Sequence, residues 1–216
     1  MIKLTEHMVY KNLYNRLFFS IFFFGIYFIT LSDKYLLFIF GTFIYLFVFY
    51  EILKYFKNIY KLILFYLFSS YFCFTLYFFN FFDYFVFNIF IFTIIFFDSF
   101  SYFTGKLFGR NYIFKYISPK KTLEGYLGGI FFTNLFFVVF NNFVNIEFKI
   151  ISLLIFLNST IFFSVIGDLI ESYFKRKNNI KDSSKFLPGH GGYFDRFDSF
   201  IASIIMLLVF SLIYNL

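Results

Sequence analysis

An all-α, polytopic membrane fold is expected from three features of the chain. Of its 216 residues, 61% are hydrophobic and only 14% charged, with a mean hydropathy of +0.78, so water cannot be its main solvent. Apolar runs near the roughly 20 residues that a bilayer core requires recur along it. The basic residues gather in alternate connections between those runs, the bias that orients membrane helices. The 46 Phe and 19 Tyr are read as codon bias towards A+T rather than as an aromatic ligand site.

The runs fall at about 17–32, 35–50, 62–82, 84–103, 127–144, 150–171 and 197–215, which gives about seven transmembrane helices. The first follows Lys3, Lys11 and Arg16, and no small-residue cleavage site comes after it, so an uncleaved span is expected. The first two are short, joined by Ser32-Asp33-Lys34, and a shallow re-entrant hairpin is the alternative for that pair. Lys54, Lys57 and Lys61 mark the connection at 51–61. Lys106, Arg110, Lys115, Lys120 and Lys121 mark the loop at 104–125, and Lys175, Arg176, Lys177, Lys181, Lys185 and Arg196 the loop at 172–196. With the three bases before the first run, 17 of the 19 Lys and Arg share one side, leaving Lys34 and Lys149 opposite. The positive-inside rule makes that side cytoplasmic and places the N-terminus there, in a multi-pass protein of the cell (inner) membrane.

One cysteine, Cys73, and two distant histidines exclude a disulfide framework and a zinc site built from several Cys and His ligands. The longest polar stretch, 172–196, is too short to bury a core of its own and must take its order from adjoining helices or a ligand.

The second half holds the acids that need explaining. Asp98 lies inside an apolar run and Asp168 near the end of another, where a lone carboxylate is costly and usually functional. Asp168, Glu171, Ser172 and Lys175 share one helix face. That stripe is read either as part of a site or as a polar seam in which Lys175 pairs with Glu171. Further on, Asp195 and Asp198 repel at i, i+3 unless a cation intervenes. Arg196 alone supplies one, and acids at a helix start are also plain caps. With Asp168 alongside, the three carboxylates would suit Mg²⁺, which takes oxygen ligands and substrate phosphates. The glycines at 189, 191 and 192 allow tight turns near a phosphate, and His190 is either a loop-stabilising group or a phosphate donor. Upstream, Ser118-Pro119 reads as an N-cap and first helical residue. Lys120 and Lys121 would then oppose the helix dipole, which suits a docked anion, with interfacial snorkelling as the alternative. Gly125, Gly128 and Gly129 fit close helix packing.

The run from Ser172 through Lys175-Arg176, Lys181-Asp182, Leu187-Pro188-Gly189-His190-Gly191-Gly192 and Asp195-Arg196-Phe197-Asp198 resembles the signature of phosphatidate cytidylyltransferases, or CDP-diacylglycerol synthases. Asp98-Ser99, Tyr102, Gly105-Lys106, Gly109-Arg110, Ser118-Pro119-Lys120-Lys121-Thr122, Glu124-Gly125 and Gly167-Asp168 are similar to that family's other polar motifs. Tyr193 stands where the family more often has an aliphatic residue or Phe. The likeness divides the chain into N-terminal transmembrane helices, 1–97, which resemble the family only as membrane helices and are shorter than usual, and a C-terminal transmembrane catalytic region, 98–216.

The resemblance implies the reaction CTP + phosphatidate → CDP-diacylglycerol + pyrophosphate at a Mg²⁺-dependent site facing the cytoplasm. It implies Asp168 and Asp195 as metal ligands, with Asp198 binding the metal or supporting a ligand. Lys175, Arg176, Lys181 and Arg196 would neutralise the triphosphate. Ser118, Lys120, Lys121, Thr122, His190, Gly191 and Gly192 complete the substrate-binding set. CTP, phosphatidate, membrane lipids and a second copy in a homodimer are the implied partners; nucleic acid is not among them. Two other readings remain open, a membrane ion or proton-coupled transporter relaying through Asp98 and Asp168, and a related transferase acting on another lipid phosphate. No G-x-x-x-x-G-K-[ST] loop is present, which argues against a P-loop ATPase.

Overall fold

The computed structural model describes residues 21–114, 116–144, 149–187 and 191–214. A short apolar helix, α1 (Ile21–Thr30), is followed by six helices long and apolar enough to cross a membrane. These are α2 (Lys34–Tyr55), α3 (Tyr60–Asn80), α4 (Tyr84–Phe108), α5 (Leu123–Val144), α6 (Ile150–Lys177) and α7 (Phe194–Tyr214). The fold is therefore all-α and polytopic, as its composition requires. The start of the first expected span, with Lys3, Lys11 and Arg16, lies outside the described residues.

Helix ends depart from the sequence reading in one consistent direction. The second run is no short hairpin arm, since α2 has 22 residues and continues through Glu51 and Lys54. The connections expected at 51–61, 104–125 and 172–196 shrink to 56–59, 109–122 and 178–193. Charged side chains do not stop these helices. Lys106 and the run Lys175-Arg176-Lys177 sit in last turns, where cations complement the C-terminal dipole and extend towards the interface. With 28 residues, α6 is about 42 Å long and overshoots a bilayer core of about 30 Å.

Two starts are fixed by acids. Asp33 accepts from the Tyr35 N–H at 2.6 Å and Asp83 from the Val86 N–H at 2.8 Å, satisfying amides that no helical partner reaches. The start expected at Ser118-Pro119 does not form. There the chain makes a turn, with the Lys121 N–H on the Ser118 carbonyl at 3.3 Å, and α5 begins only at Leu123. Thr122 caps it, its Oγ1 accepting from the Gly125 N–H at 3.2 Å. Lys120 and Lys121 thus precede the helix, on an arm paired across Tyr112–Thr122, and oppose no dipole from within its first turn.

The innermost helix is α7, which packs against α2, α3, α4 and α6. A glycine on the facing helix permits this: a Cβ on Gly167 of α6 would stand 2.5 Å from the Asp198 carbonyl oxygen and 2.7 Å from Ala202 Cβ. Across α2, α3 and α7 runs a buried polar chain. The Ser70 hydroxyl spends its one proton on the Ile201 carbonyl, so the Tyr45 hydroxyl donates to Ser70 at 2.6 Å. In the α4–α5 seam, Gly128 lies against Thr104 and Gly129 against Phe97 and Ser101. Asn134 and Asn158 exchange amide bonds of 3.1 and 3.2 Å between α5 and α6.

The three basic connections meet at one end of the bundle. Asn58 donates through its N–H to Asn178 Oδ1 at 2.7 Å and through Nδ2 to the Lys177 carbonyl at 3.0 Å. Arg176 Nε donates to the Ile117 carbonyl at 3.3 Å.

Candidate active site

At that end a cavity of about 750 Å³ opens between α4, the 109–122 connection, α5, α6 and the first turn of α7. Four carboxylates line it, those of Asp98, Asp168, Asp195 and Asp198, together with four cations, Lys106, Lys120, Lys121 and Arg196. Thr122 is also in the wall, so these nine residues, all singled out from sequence, converge here from four separate segments. The convergence follows from helix geometry. Asp98 lies ten residues before the end of α4 and Asp168 nine before the end of α6, so each carboxylate stands about 14–15 Å inside its helix end, at matching depths.

Lys121 reaches across to Asp168, Nζ to Oδ2 at 2.8 Å. Burial alone would weaken the lysine's hold on its proton, but the adjoining Asp168 carboxylate outweighs this and raises its pKa above the ordinary lysine value. Asp198 is buried in the same cavity wall. The 109–111 turn is held shut by Glu124, which accepts from the Arg110 and Asn111 N–H groups and from Asn111 Nδ2 at 2.7 Å. Gly105 and Gly125 admit the close approach of α4 to α5 behind Lys121, where a Cβ on Gly125 would lie 3.2 Å from Gly105 Cα.

The remaining expected residues stand behind the cavity or apart from it. Lys175 bridges two acids, Glu171 at 2.6 Å and Asp195 at 2.8 Å. The cation that relieves Asp195 is therefore Lys175, and the expected Lys175–Glu171 seam and the site are one network. Arg176 ties α6 to the 109–122 connection, and Lys181 is exposed outside the cavity wall. Ser118 lies in the turn outside the lining, and His190 lies outside the described residues. Gly191 and Gly192 close the loop onto protein carboxylates. Gly191 has φ of +84°, and a Cβ there would run into Asp195 Oδ2. The Gly192 N–H donates to the same Oδ2 at 2.8 Å, beside the Ser183 N–H at 2.8 Å and the Ser183 hydroxyl at 3.0 Å.

Mg²⁺ fits the donor set in kind. Among the described residues, no three His, Cys, Asp or Glu side chains are close enough to enclose an ion by themselves. Mg²⁺ is usually held by one or two carboxylates, with waters and substrate phosphates completing its octahedron. Asp195 Oδ1 accepts from Lys175 at 2.8 Å, and a carboxylate oxygen has a second lone pair for a cation; Asp168 lines the cavity, paired with Lys121.

Sequence reasoning missed Glu51. It is fully buried on α2 and accepts from the Ser183 and Ser184 hydroxyls at 3.1 and 2.6 Å and from the Tyr193 and Phe194 N–H groups at 2.8 and 3.0 Å. The signal available was an acid followed directly by the apolar Ile52-Leu53, more a continuing helix than a loop. Tyr193, unusual in its position, stacks on Phe47 with ring centroids 4.6 Å apart.

A second cavity, of about 400 Å³, is apolar. Phe23, Tyr27, Ile44, Phe74, Phe87 and Phe200 are among its walls, and Arg196 is the one charged residue it shares with the polar cavity.

A mixed-charge cavity that shares Arg196 with an apolar one, in a bundle of apolar helices, suits an enzyme acting on a charged lipid. The model of the cytidylyltransferase family matches residues 2–214, and the chain belongs to that family. Over 97 residues it is 45% identical to a Staphylococcus epidermidis protein named phosphatidate cytidylyltransferase, and 43% identical to one of that name from Staphylococcus haemolyticus. A Staphylococcus aureus protein of the same name is 42% identical over 106 residues. Each match covers 45% of this chain and 37% of the relative.

Proposed function

We propose that the protein joins CTP to phosphatidate, giving CDP-diacylglycerol and pyrophosphate. The observation that carries this reading is Arg196 standing in the wall of both cavities. A phosphate held there has charged partners on one side and hydrocarbon on the other, as a phosphate esterified to diacylglycerol requires. In the reaction an oxygen of the lipid phosphate attacks the α-phosphorus of CTP. One P–O bond forms while the bond from the α-phosphorus to the bridging oxygen breaks, and its electron pair leaves with pyrophosphate. The nucleophile is already an anion, so no serine or cysteine is needed; the protein brings two anions together and offsets charge on the leaving group.

Lys120 and Lys121 hold substrate phosphate on the arm, and Arg196 holds the lipid phosphate at the junction. Lys175 holds Asp195 in place through their ion pair, with Arg176 and Lys181 adding positive potential nearby. Asp168 and Asp195, supported by Asp198, would hold Mg²⁺, which when bound supplies Lewis-acid neutralisation of phosphate charge. An ion or proton relay is the weaker reading, because Asp98, Asp168 and Asp198 gather in one cavity among bases.

Purified protein incubated with labelled CTP, phosphatidate and Mg²⁺ should yield a lipid-linked cytidine nucleotide. Label remaining wholly water-soluble would defeat the reading. The gathered basic connections support a site facing the cytoplasm in a cell-membrane protein. Cysteines at Lys57 and Lys177 should both escape an impermeant thiol reagent in intact cells, and one at Lys149 should react; labelling at Lys177 would reverse the orientation.

A further inference from the structure

We propose that Glu51 is a positioning residue for this reaction, acting from α2 as the cap that sets the first turn of α7; the proposal rests on the reading of the cavity as a cytidylyltransferase site. Four residues of the α7 start line the cavity, namely Asp195, Arg196, Asp198 and Ser199, so the angle and register at which α7 begins place all four together. A helix start leaves its first amides without helical partners. Here two amides at that start, Tyr193 N–H and Phe194 N–H, are taken by the two oxygens of Glu51 at 2.8 and 3.0 Å. The capping side chain comes from a different helix, 142 residues away in sequence from Tyr193.

The same carboxylate holds the far strand of the loop. The Ser184 hydroxyl donates to Oε1 at 2.6 Å. The Ser183 hydroxyl lies 3.1 Å from Glu51 Oε2 and 3.0 Å from Asp195 Oδ2. That hydroxyl has one proton for two carboxylates, so it couples the cap to a cavity residue. Gly192 is tied to this arrangement, since a Cβ there would stand 2.6 Å from both Glu51 oxygens and run into Ser183 Oγ. An acidic side chain with no exposure tolerates its burial only with such a set of donors. A neutral amide at the same place would turn an N–H donor towards at least one donor. Moving reacting groups by about 1 Å can cost about 10²-fold in rate, so the effect belongs in kcat.

The test uses the full chain in detergent micelles. Glu51→Gln, compared with wild type at equal folded fraction, should lose about 10–100-fold in kcat, with both KM values within about threefold. Trypsin cleavage after Lys185, followed by mass spectrometry, should become faster as the loop loosens. A stabilising contact alone predicts a lower Tm with wild-type kcat in the folded fraction, and that result would overturn the proposal. If Glu51→Gln does not fold, Ser184→Ala, which removes one donor, takes its place: a several-fold fall in kcat supports the proposal and unchanged kcat and cleavage overturn it. Wild type without CTP-dependent turnover defeats the function reading instead, and faster cleavage in Glu51→Gln would still establish the anchor.

Discussion

The two acids that matter most in the two halves of the molecule are buried in opposite ways. Asp168, in the C-terminal half, faces a cavity and pairs with Lys121 at 2.8 Å. Glu51, in the N-terminal half, is fully enclosed and surrounded by four donors. Both are carboxylates inside a membrane protein, yet one retains acceptor capacity turned towards a ligand while the other spends its capacity on the chain. The contrast is between an acid whose acceptor capacity lies in a cavity wall and one whose capacity closes a loop, and Asp195, in the cavity wall yet bonded to Lys175, Ser183 and Gly192, combines the two.

The largest effect should come from the acid with capacity to spare. Asp168→Asn should lower kcat by about 10³-fold while the protein still inserts and elutes as wild type, because the Mg²⁺ that would offset phosphate charge is then poorly held. EDTA should abolish wild-type turnover reversibly. An Asp168→Asn enzyme of normal kcat would erase the distinction between the two halves. Next comes the bridge between acids. Lys175→Met leaves Glu171 and Asp195, 1% and 8% exposed, without their cation, and should destabilise the fold by about 3–5 kcal/mol, read by unfolding in detergent.

A smaller effect distinguishes the two arm lysines. Lys121→Gln should raise a substrate KM by about tenfold, as loss of uniform binding does. Added salt should leave that gap intact, because Lys121 is only 31% exposed, whereas the gap for the exposed Lys120→Gln should narrow. The raised Lys121 pKa fixes the sign of its pH dependence: its pairing contribution is complete below the ordinary lysine value and is lost only as pH climbs through the higher folded one. The Lys121→Gln defect should therefore be flat across neutral and mildly alkaline pH. The smallest effect is at the helix seam, where Gly128→Ala sets a Cβ about 2.5 Å from the stiff Thr104 side chain. A loss of about 1 kcal/mol in stability, with turnover per folded molecule unchanged, should register in thermal unfolding.

How legible each half was in the sequence follows the same contrast. Asp98, Asp168, Asp195, Asp198 and Lys121 stand out as charge within apolar or glycine-rich sequence, and they do meet in one cavity. The spans were legible because apolar length is a direct signal. Helix ends were not, because Glu51, Lys54 and Lys175 look like loop residues and yet continue helices once their charges find partners or solvent. Ser118-Pro119 misled for another reason: the same pair begins a helix or a turn, and only the pairing of 111–113 with 121–123 decides for the turn. Glu51 was illegible because its partners lie 132 to 143 residues away.

The depth of Asp98 has a consequence for the surrounding lipid. Ten residues separate it from the end of α4 at Phe108, about 15 Å or half the thickness of a bilayer core. On the proposed reaction, the lipid phosphate must sink below the plane of its neighbours' headgroups before it meets CTP. Bilayer thickness thereby becomes a reaction variable, since a thicker leaflet lengthens that descent and a thinner one shortens it. An enzyme that makes lipid would then run at a rate set partly by the lipid already made.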